Sequence, residues 1–139
     1  MNKGPVYVVD EDIDDQLFLT EAWDEIPLAN ALRFFKSAED FLVKMETDPT
    51  VPFLIICEIK LPKISGLELK RYLLKHANTH YKSIPFVFLA AHPSPKEIKE
   101  AYDLCTHGVF KKHNTLPKIK AQLIHIANYW AECLVPINA

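Results

Sequence analysis

Short apolar runs alternate with longer segments of helical spacing along this chain. Apart from Arg33 and Gly108, the runs consist of apolar, β-branched or aromatic residues, which is the pattern of strands buried on both faces. They cover Val6–Val9, Leu32–Phe35, Phe53–Cys57, Phe86–Ala91 and Gly108–Phe110. The alternation predicts a β-α unit repeated five times.

The helical segments carry start signals as well as apolar stripes. Ser37 stands three positions before Asp40, the spacing of a capped helix start. Ser94 and Glu97 repeat this spacing. The last segment has a stripe of about five turns, formed by Leu116, Ile119, Leu123, Ile126, Trp130 and Leu134. Pro117 suits the first turn of that helix.

Parallel strands joined by right-handed helical crossovers form a sheet with helices on both faces. The predicted fold class is therefore α/β, in a doubly wound, three-layer α/β/α arrangement. No linker, repeat or change of composition divides the chain, so residues 1–139 are interpreted as one domain.

Composition removes several function classes. The 139 residues carry a formal net charge of -2 with a pI near 6.3, which gives no overall attraction to nucleic acid or anionic lipid. Cys57, Cys105 and Cys133 include no CxxC pair, so neither a disulfide framework nor a zinc site is indicated. No apolar run reaches the length of a membrane span, and no signal-peptide pattern opens the chain. We therefore expect a cytoplasmic protein without nucleic-acid or membrane partners, with buried free thiols at Cys57 and Cys105.

In an open parallel sheet, ligands bind beyond the carboxyl ends of the strands. The polar residues that follow the predicted strands are Asp10, Glu11, Asp12, Glu58, His92, Lys111, Lys112 and His113. A cluster of carboxylates needs a cation to offset its charge. The sequence thus predicts acids from two strands that face a lysine from another.

Four stretches in order resemble the receiver domain of response regulators in two-component signalling, from Val6 to about Leu134. The stretches are VYVVDEDIDD, LIICEIKLPKISGLEL, IPFVFLAA and AYDLCTHGVFKKHN. The closing IANYWAECLVPI is similar to the end of stand-alone receivers with a long last helix. The resemblance implies a flavodoxin-like (CheY-like) five-stranded parallel sheet in the order 2-1-3-4-5. It also implies a single receiver domain without an output domain.

The same resemblance implies a partner and a set of site residues. The partner is a sensor histidine kinase or another signalling protein, and the chain is a monomer or a weak dimer. Asp10 and Glu11 match the acidic pair that holds a divalent cation, and Lys112 matches the lysine that contacts the phosphoryl group. Pro62 and Gly66 match the turn after the phosphoacceptor.

Four positions depart from the family pattern. Glu58 stands at the phosphoacceptor aspartate, Ala90 at the switch Ser or Thr, and Val109 at the aromatic switch position. His113 replaces the proline that usually follows the lysine. A cis bond before a non-proline residue costs about 3 kcal/mol, so we expect the Lys112–His113 bond to be trans.

These departures weaken phosphorylation. The extra methylene of Glu58 displaces its carboxylate by about 1.5 Å, and a misplacement of about 1 Å costs on the order of 100-fold where rate depends on positioning. Ala90 lacks the hydroxyl that would hydrogen-bond a phosphoryl oxygen. We therefore predict an atypical receiver, or pseudo-receiver, that acts through protein–protein contacts, with the Glu58 carboxylate within salt-bridge range of Lys112. In the alternative, the pocket has decayed and Glu58 is a solvated acid.

The resemblance also implies a Mg²⁺ site in weakened form. Its carboxylates would come from Asp10, Glu11 and Glu58, and its backbone ligand would be the carbonyl of Lys60. Mg²⁺ demands octahedral oxygen ligands at about 2.1 Å. The longer Glu58 side chain and the nearby Lys60 ammonium both argue against tight binding.

Other interpretations stay open at this point. A conventional receiver would take up phosphate at a neighbouring acid, Asp10 or Asp12. The same two acids resemble the nucleophile and the acid/base of haloacid-dehalogenase-type phosphatases, although no acidic pair follows the fourth strand. His76 and His80, four positions apart on the third helix, would offer a metal two ligands without an evident third, and a solvated helix face is the plainer interpretation.

Overall fold

The computed structural model describes residues 4–28, 30–76 and 79–136, without the side chains of residues 79 and 80. Within these residues the chain forms five strands and six helices. The strands are β1 (Val6–Val9), β2 (Leu32–Phe35), β3 (Leu54–Cys57), β4 (Phe86–Ala90) and β5 (Val109–Lys111). The helices are α1 (Ile13–Asp24), α2 (Ala38–Thr47), α3 (Gly66–His76), α4 (Thr79–Lys82), α5 (Pro95–Asp103) and α6 (Leu116–Glu132).

The strands form one parallel sheet in the order β2-β1-β3-β4-β5, which confirms the predicted order. Val9 pairs with both Phe35 and Cys57, and Ala90 pairs with Lys111. The three central strands, β1, β3 and β4, are buried along their whole length because helices cover both of their faces. This register brings the residues that follow β1, β3, β4 and β5 to one edge of the sheet.

Each face of the sheet has its own apolar core. On one face α1 and α6 pack together, with Trp23 and Ile119 among the buried side chains. On the other face lie α2, α3 and α5. Val8 of β1 belongs to the first core and Tyr7 to the second, because successive side chains of a strand point to opposite faces. The three-layer arrangement is confirmed, and the short α4 adds Tyr81 to the second core.

The predicted helix starts are confirmed. The Ser37 hydroxyl accepts the backbone N–H of Asp40 at 3.1 Å at the start of α2. Ser94 and Glu97 form a reciprocal capping box at the start of α5. Pro117 lies in the first turn of α6. The serine caps satisfy backbone N–H groups that have no partner within the helix, and proline at the first turn removes one such group.

The C-terminal end of α6 differs from the prediction. The helix ends at Glu132, so Leu134 does not extend the apolar stripe and is 84% exposed. Pro136 lies two positions further on, and a proline disfavours the helical conformation in the residue before it. Neither α6 nor another helix in the described ranges is long and apolar enough to span a membrane.

Two further expectations are wrong. His76 ends α3 and His80 belongs to α4, so the two histidines do not share one helix, and the side chain of His80 lies outside the described part. Cys105 is exposed rather than buried, whereas Cys57 is buried as expected. The reason is that α5 ends at Asp103 and the chain turns at Cys105, where φ is 59°.

Candidate functional site

Asp10 follows β1 and is buried at the carboxyl edge of the sheet. Its backbone N–H donates to the carbonyl of Phe35 at 3.0 Å, and Gln16 Nε2 in α1 donates to its backbone carbonyl at 2.9 Å. The Oδ1 atom of Asp10 accepts the backbone N–H of Asp12 at 3.0 Å. The contacts from β2 and α1 fix the backbone of Asp10, and the Asp12 N–H holds its carboxylate.

Asp12 caps the start of α1. Its Oδ1 atom accepts the backbone N–H groups of Asp14 and Asp15 at 2.9 Å and 3.3 Å. Asp15 therefore lies in the first turn, where the helix dipole favours a carboxylate. The cap sets the rotation of α1, and with it the direction in which Asp15 points.

Lys112 follows β5 and extends its ammonium into this cluster of acids. Its backbone N–H donates to the carbonyl of Ala90 at 2.8 Å. Its Nζ atom lies 2.7 Å from Asp10 Oδ2 and 2.8 Å from Asp15 Oδ2. A third carboxylate oxygen, Glu58 Oε2, lies 3.5 Å away. The side chain of Lys112 is only 7% exposed.

The charges around Lys112 keep it protonated. Burial alone lowers the pKa of Lys112, because a buried ammonium loses its hydration. The charge and hydrogen bond of Asp10, the hydrogen bond of Asp15 and the charge of Glu58 act in the opposite direction. Together they raise the pKa of Lys112 above its ordinary value, so its ammonium is a fixed cation in the site.

The Glu58 carboxylate is held by backbone N–H groups on two loops. Oε1 accepts the N–H of Ile59 at 2.7 Å, and Oε2 accepts the N–H of Ala91 at 3.3 Å. The side chain of Glu58 is 11% exposed. The carboxylate lies within salt-bridge range of Lys112, as expected from the sequence, although the lysine is closer to Asp10 and Asp15. This placement does not fit the alternative interpretation, in which Glu58 is a solvated acid.

Gly66 allows the backbone beneath Glu58 to turn tightly. A Cβ atom at Gly66 would collide with the backbone carbonyl oxygen of Glu58 and would lie 2.9 Å from the ring of Phe88. The N–H of Gly66 donates to the carbonyl of Ile59 at 2.8 Å, and that of Glu58 donates to Val9 at 2.9 Å. Only a residue without a side chain fits where α3 starts this close to β3.

The acid that joins Asp10 at the lysine is Asp15, which the sequence reasoning missed. Glu11, the predicted partner of Asp10, is exposed, and in the described part of the chain it makes no salt bridge with Lys112. The signal for Asp15 was the run of acids that continues past Asp12 into α1. Which member of that run reaches the lysine depends on where the helix begins.

A divalent cation does not fit the carboxylates as they are arranged. Both oxygens of Asp10 and both oxygens of Glu58 already accept hydrogen bonds or face Lys112. The Lys60 ammonium donates to the carbonyl of His92 at 3.0 Å, across the mouth of the site. Among residues 4–28, 30–76 and 79–136, no three His, Cys, Asp or Glu side chains are placed to hold a metal. The ammonium of Lys112 lies where these acids converge.

The remaining predicted positions surround the cluster. Ala90 is 1% exposed at the end of β4, and Val109 is half-buried in β5. His113 is exposed, and its peptide bond with Lys112 is trans, which confirms that prediction. Pro62 is exposed in the loop after β3. Ala90 carries no hydroxyl and Val109 no aromatic ring, at the two positions that the resemblance matches to the switch residues.

The comparison with solved structures identifies the fold. The phosphorylated cyanobacterial phytochrome response regulator RcpA superposes with a TM-score of 0.87 at 20% identity, over 97% of this chain and 99% of that one. The fold is that of a receiver domain. RPA3017 from red-light signalling of R. palustris gives 0.81 at 23% identity, over 95% of this chain and 98% of that chain.

Other structures with the receiver fold agree in outline. The response regulator Rcp1 in its Mn²⁺-bound form gives a TM-score of 0.82 at 20% identity, over 96% of this chain and 99% of that one. No family model and no curated protein matches the sequence. At these identities the likeness establishes the receiver fold. The site residues described above therefore carry the functional argument.

Proposed function

We propose that this chain is a pseudo-receiver of two-component signalling, which works through protein–protein contacts without taking up phosphate. One observation carries the proposal: the Glu58 carboxylate is bound by the N–H groups of Ile59 and Ala91 beside the Lys112 ammonium. Two backbone donors and a cation form a site for an anion, and charge-assisted hydrogen bonds make such a site strong. The protein's own side chain fills it.

A phosphoryl group on Glu58 would have to displace these contacts. Phosphoryl transfer is catalysed by positioning and by charge stabilisation at the reacting oxygens. In this chain the donors that would stabilise the transferred group already bind the acceptor itself, and Ala90 offers no hydroxyl in addition. RcpA was crystallised phosphorylated and Rcp1 with Mn²⁺. We propose that this chain takes up neither a phosphoryl group nor a divalent cation, because the Glu58 carboxylate already uses the backbone donors and the Lys112 ammonium lies among the acids.

The alternative acceptors are less suited to the reaction. Asp10 is buried and accepts from Asp12 and Lys112, while the Oδ1 atom of Asp12 caps α1. A nucleophilic carboxylate must approach phosphorus, and these contacts hold both side chains in other directions. The same argument weakens a haloacid-dehalogenase-like phosphatase with Asp10 as nucleophile. The proposal accordingly assigns the chain no enzymatic activity.

The partner is proposed to be a sensor histidine kinase or another signalling protein in the cytoplasm. We place the contact on the surface of α5, β5 and α6, the output surface that the receiver resemblance implies. Two large side chains lie exposed there, Tyr102 on α5 at 56% and Tyr129 on α6 at 62%. Aromatic residues of this kind supply much of the binding energy at interfaces. Because Glu58 provides a fixed charge, this contact is expected not to depend on phosphate.

Intact-mass spectrometry after incubation with acetyl phosphate and Mg²⁺ tests the proposal. We expect no covalent phosphoryl adduct on the unmodified chain. The matched positive control is the triple variant Glu58→Asp, Ala90→Thr and Val109→Tyr, which returns the acceptor, the hydroxyl and the ring. A stoichiometric adduct on the unmodified chain would overturn the proposal, and its position by peptide mapping would identify Glu58, Asp10 or Asp12 as the acceptor.

A further inference from the structure

Lys70 is a buried lysine without an acid to pair with. It lies on α3 and is 2% exposed. Its Nζ atom lies 5.1 Å from the centroid of the Phe86 ring, and in the described part of the chain it forms no salt bridge. Lysine is almost never fully buried unless it is paired, because a buried ammonium costs free energy when no counter-charge offsets it. The surroundings of Lys70 therefore favour a neighbouring group that can become an anion.

The turn that follows α5 lies against this lysine. His107 exchanges two hydrogen bonds with the backbone of Phe86, at 2.9 Å and 3.1 Å, and the Lys70 ammonium lies over the ring of the same phenylalanine. Cys105 lies two positions before His107 in this turn and is exposed. Burial lowers the pKa of Lys70, while the charge of Cys105 acts in the opposite direction. The thiol of Cys105 thus lies close enough to the ammonium for the two charges to interact.

A second polar group in this turn also lacks a partner. Thr106 is 7% exposed, and its buried Oγ1 atom forms no hydrogen bond with any residue that the structure describes. Buried hydroxyls normally have such a partner. The turn therefore places an exposed thiol beside an unpaired ammonium and next to an unpaired hydroxyl. Both of these groups donate hydrogen bonds to oxygen acceptors.

We propose that Cys105 is a site of oxidation by hydrogen peroxide, and that the Lys70 ammonium stabilises the oxidised side chain. The thiolate sulfur attacks one oxygen of the peroxide: an S–O bond forms, the O–O bond breaks, and the leaving hydroxide takes up a proton to become water. Sulfur is oxidised to the sulfenic acid and the peroxide is reduced. The inference goes beyond the pseudo-receiver function, since it uses neither Glu58 nor phosphate.

A second peroxide carries the sulfur one step further. The sulfenate sulfur attacks it in the same way, and the hydroxide that leaves removes the proton of the new sulfinic acid. The products are water and a sulfinate anion. This anion supplies the counter-charge that Lys70 lacks in the reduced protein.

The other two cysteines are less suited to this reaction. Cys57 is buried, and burial raises the pKa of its thiol well above the ordinary value, which keeps it in the unreactive thiol form. Cys133 is half-buried at the end of α6. A cation beside a thiol increases the fraction of reactive thiolate. Cys105 combines exposure with such a cation.

Peptide mass spectrometry after graded exposure to hydrogen peroxide tests the proposal, with dimedone added in a parallel series to trap the sulfenic acid. We expect Cys105 to be modified faster than Cys133 within the same molecules. Lys70→Met should slow the oxidation of Cys105 about fivefold relative to Cys133, since a larger thiolate fraction is partly offset by a lower nucleophilicity. Lys96→Met, at an exposed position on α5, is the control and should leave the ratio unchanged.

Two substitutions at position 105 test the pairing without any oxidation. Cys105→Asp carries a fixed anion and Cys105→Asn is its neutral counterpart, and both residues tolerate the positive φ of 59° at this position. The urea midpoint of the Asp variant relative to the Asn variant is expected to be higher with Lys70 than with Lys70→Met. Taking the difference between the two backgrounds removes the effect of the α5 dipole on a carboxylate.

Three outcomes would overturn the inference. These are oxidation of Cys133 as fast as that of Cys105, an unchanged ratio of the two rates without the Lys70 charge, and an equal Asp–Asn difference with and without Lys70. Lys70→Gln repeats both measurements as a second neutral variant, and thermal unfolding checks that each variant is folded. None of these outcomes bears on whether acetyl phosphate modifies the chain, so the two proposals fail independently.

Discussion

Lys112 and Asp15 are 97 positions apart in the sequence, and their side chains meet at 2.8 Å. Asp15 lies in the first turn of α1, and Lys112 follows β5 at the far side of the sheet from β2. The pair therefore links the first helix to the last strand across the carboxyl edge. It gives the ammonium a second strong acceptor besides Asp10, and it holds Lys112 back from Glu58.

Asp15→Asn tests how much this link contributes. The Asp15 side chain is 34% exposed, so solvent screens the pair. We expect a loss of about 1 kcal/mol or less in the free energy of unfolding, measured by urea titration. Asp14→Asn is the matched control, because Asp14 lies in the same helical turn and accordingly shares the dipole contribution. Equal losses in the two variants would show that only the helix dipole matters.

Lys112→Met removes the cation from the buried Asp10 carboxylate and the partly buried Glu58 carboxylate. Asp10 and Glu58 would stay in the site with no opposing charge nearby, and breaking a buried ion pair in this way costs about 3–5 kcal/mol. We therefore expect a large fall in the urea midpoint at neutral pH. Lys111→Met, which removes the neighbouring exposed ammonium, should change stability little. A Lys112→Met protein as stable as the parent would contradict the role given to the ammonium.

The pH dependence of stability at alkaline pH tests the contribution of the Lys112 charge. Because the pKa of Lys112 is raised in the folded protein, its stabilisation is present in full below about pH 10.4, the unfolded value. It is lost as the pH rises through the higher folded pKa. The stability difference between the parent and Lys112→Met should therefore be constant around neutral pH and shrink only above about pH 10.4. A difference that shrinks already near neutral pH would contradict this assignment.

The sheet order was implied by the receiver resemblance, and the meeting of Asp10, Glu58 and Lys112 at one edge could be predicted from the strand pattern. Buried parallel strands leave a continuous apolar signal, and the residue after each strand must lie at the carboxyl edge. The choice between Glu11 and Asp15 could not be made in this way. It depends on the rotation of α1, which the Asp12 cap fixes through hydrogen bonds that have no counterpart in the apolar pattern.

The contacts of the Glu58 carboxylate could not be predicted from the sequence for a different reason. Ile59 and Ala91 bind it through backbone N–H groups, and every residue except proline carries such a group. Their side chains accordingly give no signal in the sequence. The anion site becomes visible only when two loops 33 positions apart are brought together.

Gly66→Ala should disturb the site through the backbone. The new Cβ would collide with the carbonyl oxygen of Glu58, and a backbone atom cannot move aside as a flexible side chain can. We expect a loss of about 3 kcal/mol in the free energy of unfolding, at the upper end for overpacking. Lys96→Ala, at an exposed helical position, is the control. Changes in the amide NMR signals of Ile59 and Ala91 should accompany the loss of stability. If these signals did not change, Gly66 would have no structural effect on the Glu58 contacts.

His107 is expected to make the protein less stable in mild acid. Its Nδ1 atom accepts the backbone N–H of Phe86 at 3.1 Å, and a proton on that nitrogen would break the bond. Burial lowers the pKa of His107, and the charge of Lys70 lowers it further. The stabilisation is therefore complete above about pH 6.5, the unfolded value, and is lost as the pH falls through the folded pKa.

The check on His107 is the urea midpoint measured at neutral and mildly acidic pH. His107→Asn keeps an acceptor for the Phe86 N–H but does not titrate, so its midpoint should fall less on acidification than that of the parent. His125→Asn, on α6, controls for the loss of a histidine elsewhere. The same acid dependence in the parent and in His107→Asn would assign the effect to other groups.

On the pseudo-receiver proposal, Glu58, Ala90 and Val109 together lack the parts of a phosphorylation switch, so restoring one of them should not restore the response. Glu58→Asp shortens the acceptor and frees the N–H groups of Ile59 and Ala91. Ala90 would still offer no hydroxyl to a phosphoryl oxygen, and Val109 no ring to change position. We expect the single variant to show little change in the NMR signals of α5 when acetyl phosphate and Mg²⁺ are added.

Adding Ala90→Thr and Val109→Tyr to Glu58→Asp should produce a larger donor-dependent change in α5. Ala90 is 1% exposed, so the added atoms of threonine are expected to cost about 1–3 kcal/mol of stability. Ala90→Thr alone is therefore measured in parallel to separate that cost from the response. The unmodified chain should give no donor-dependent change, because its anion site is filled by Glu58 in either condition. A large response in the unmodified chain would return it to the ordinary receivers that signal through phosphate.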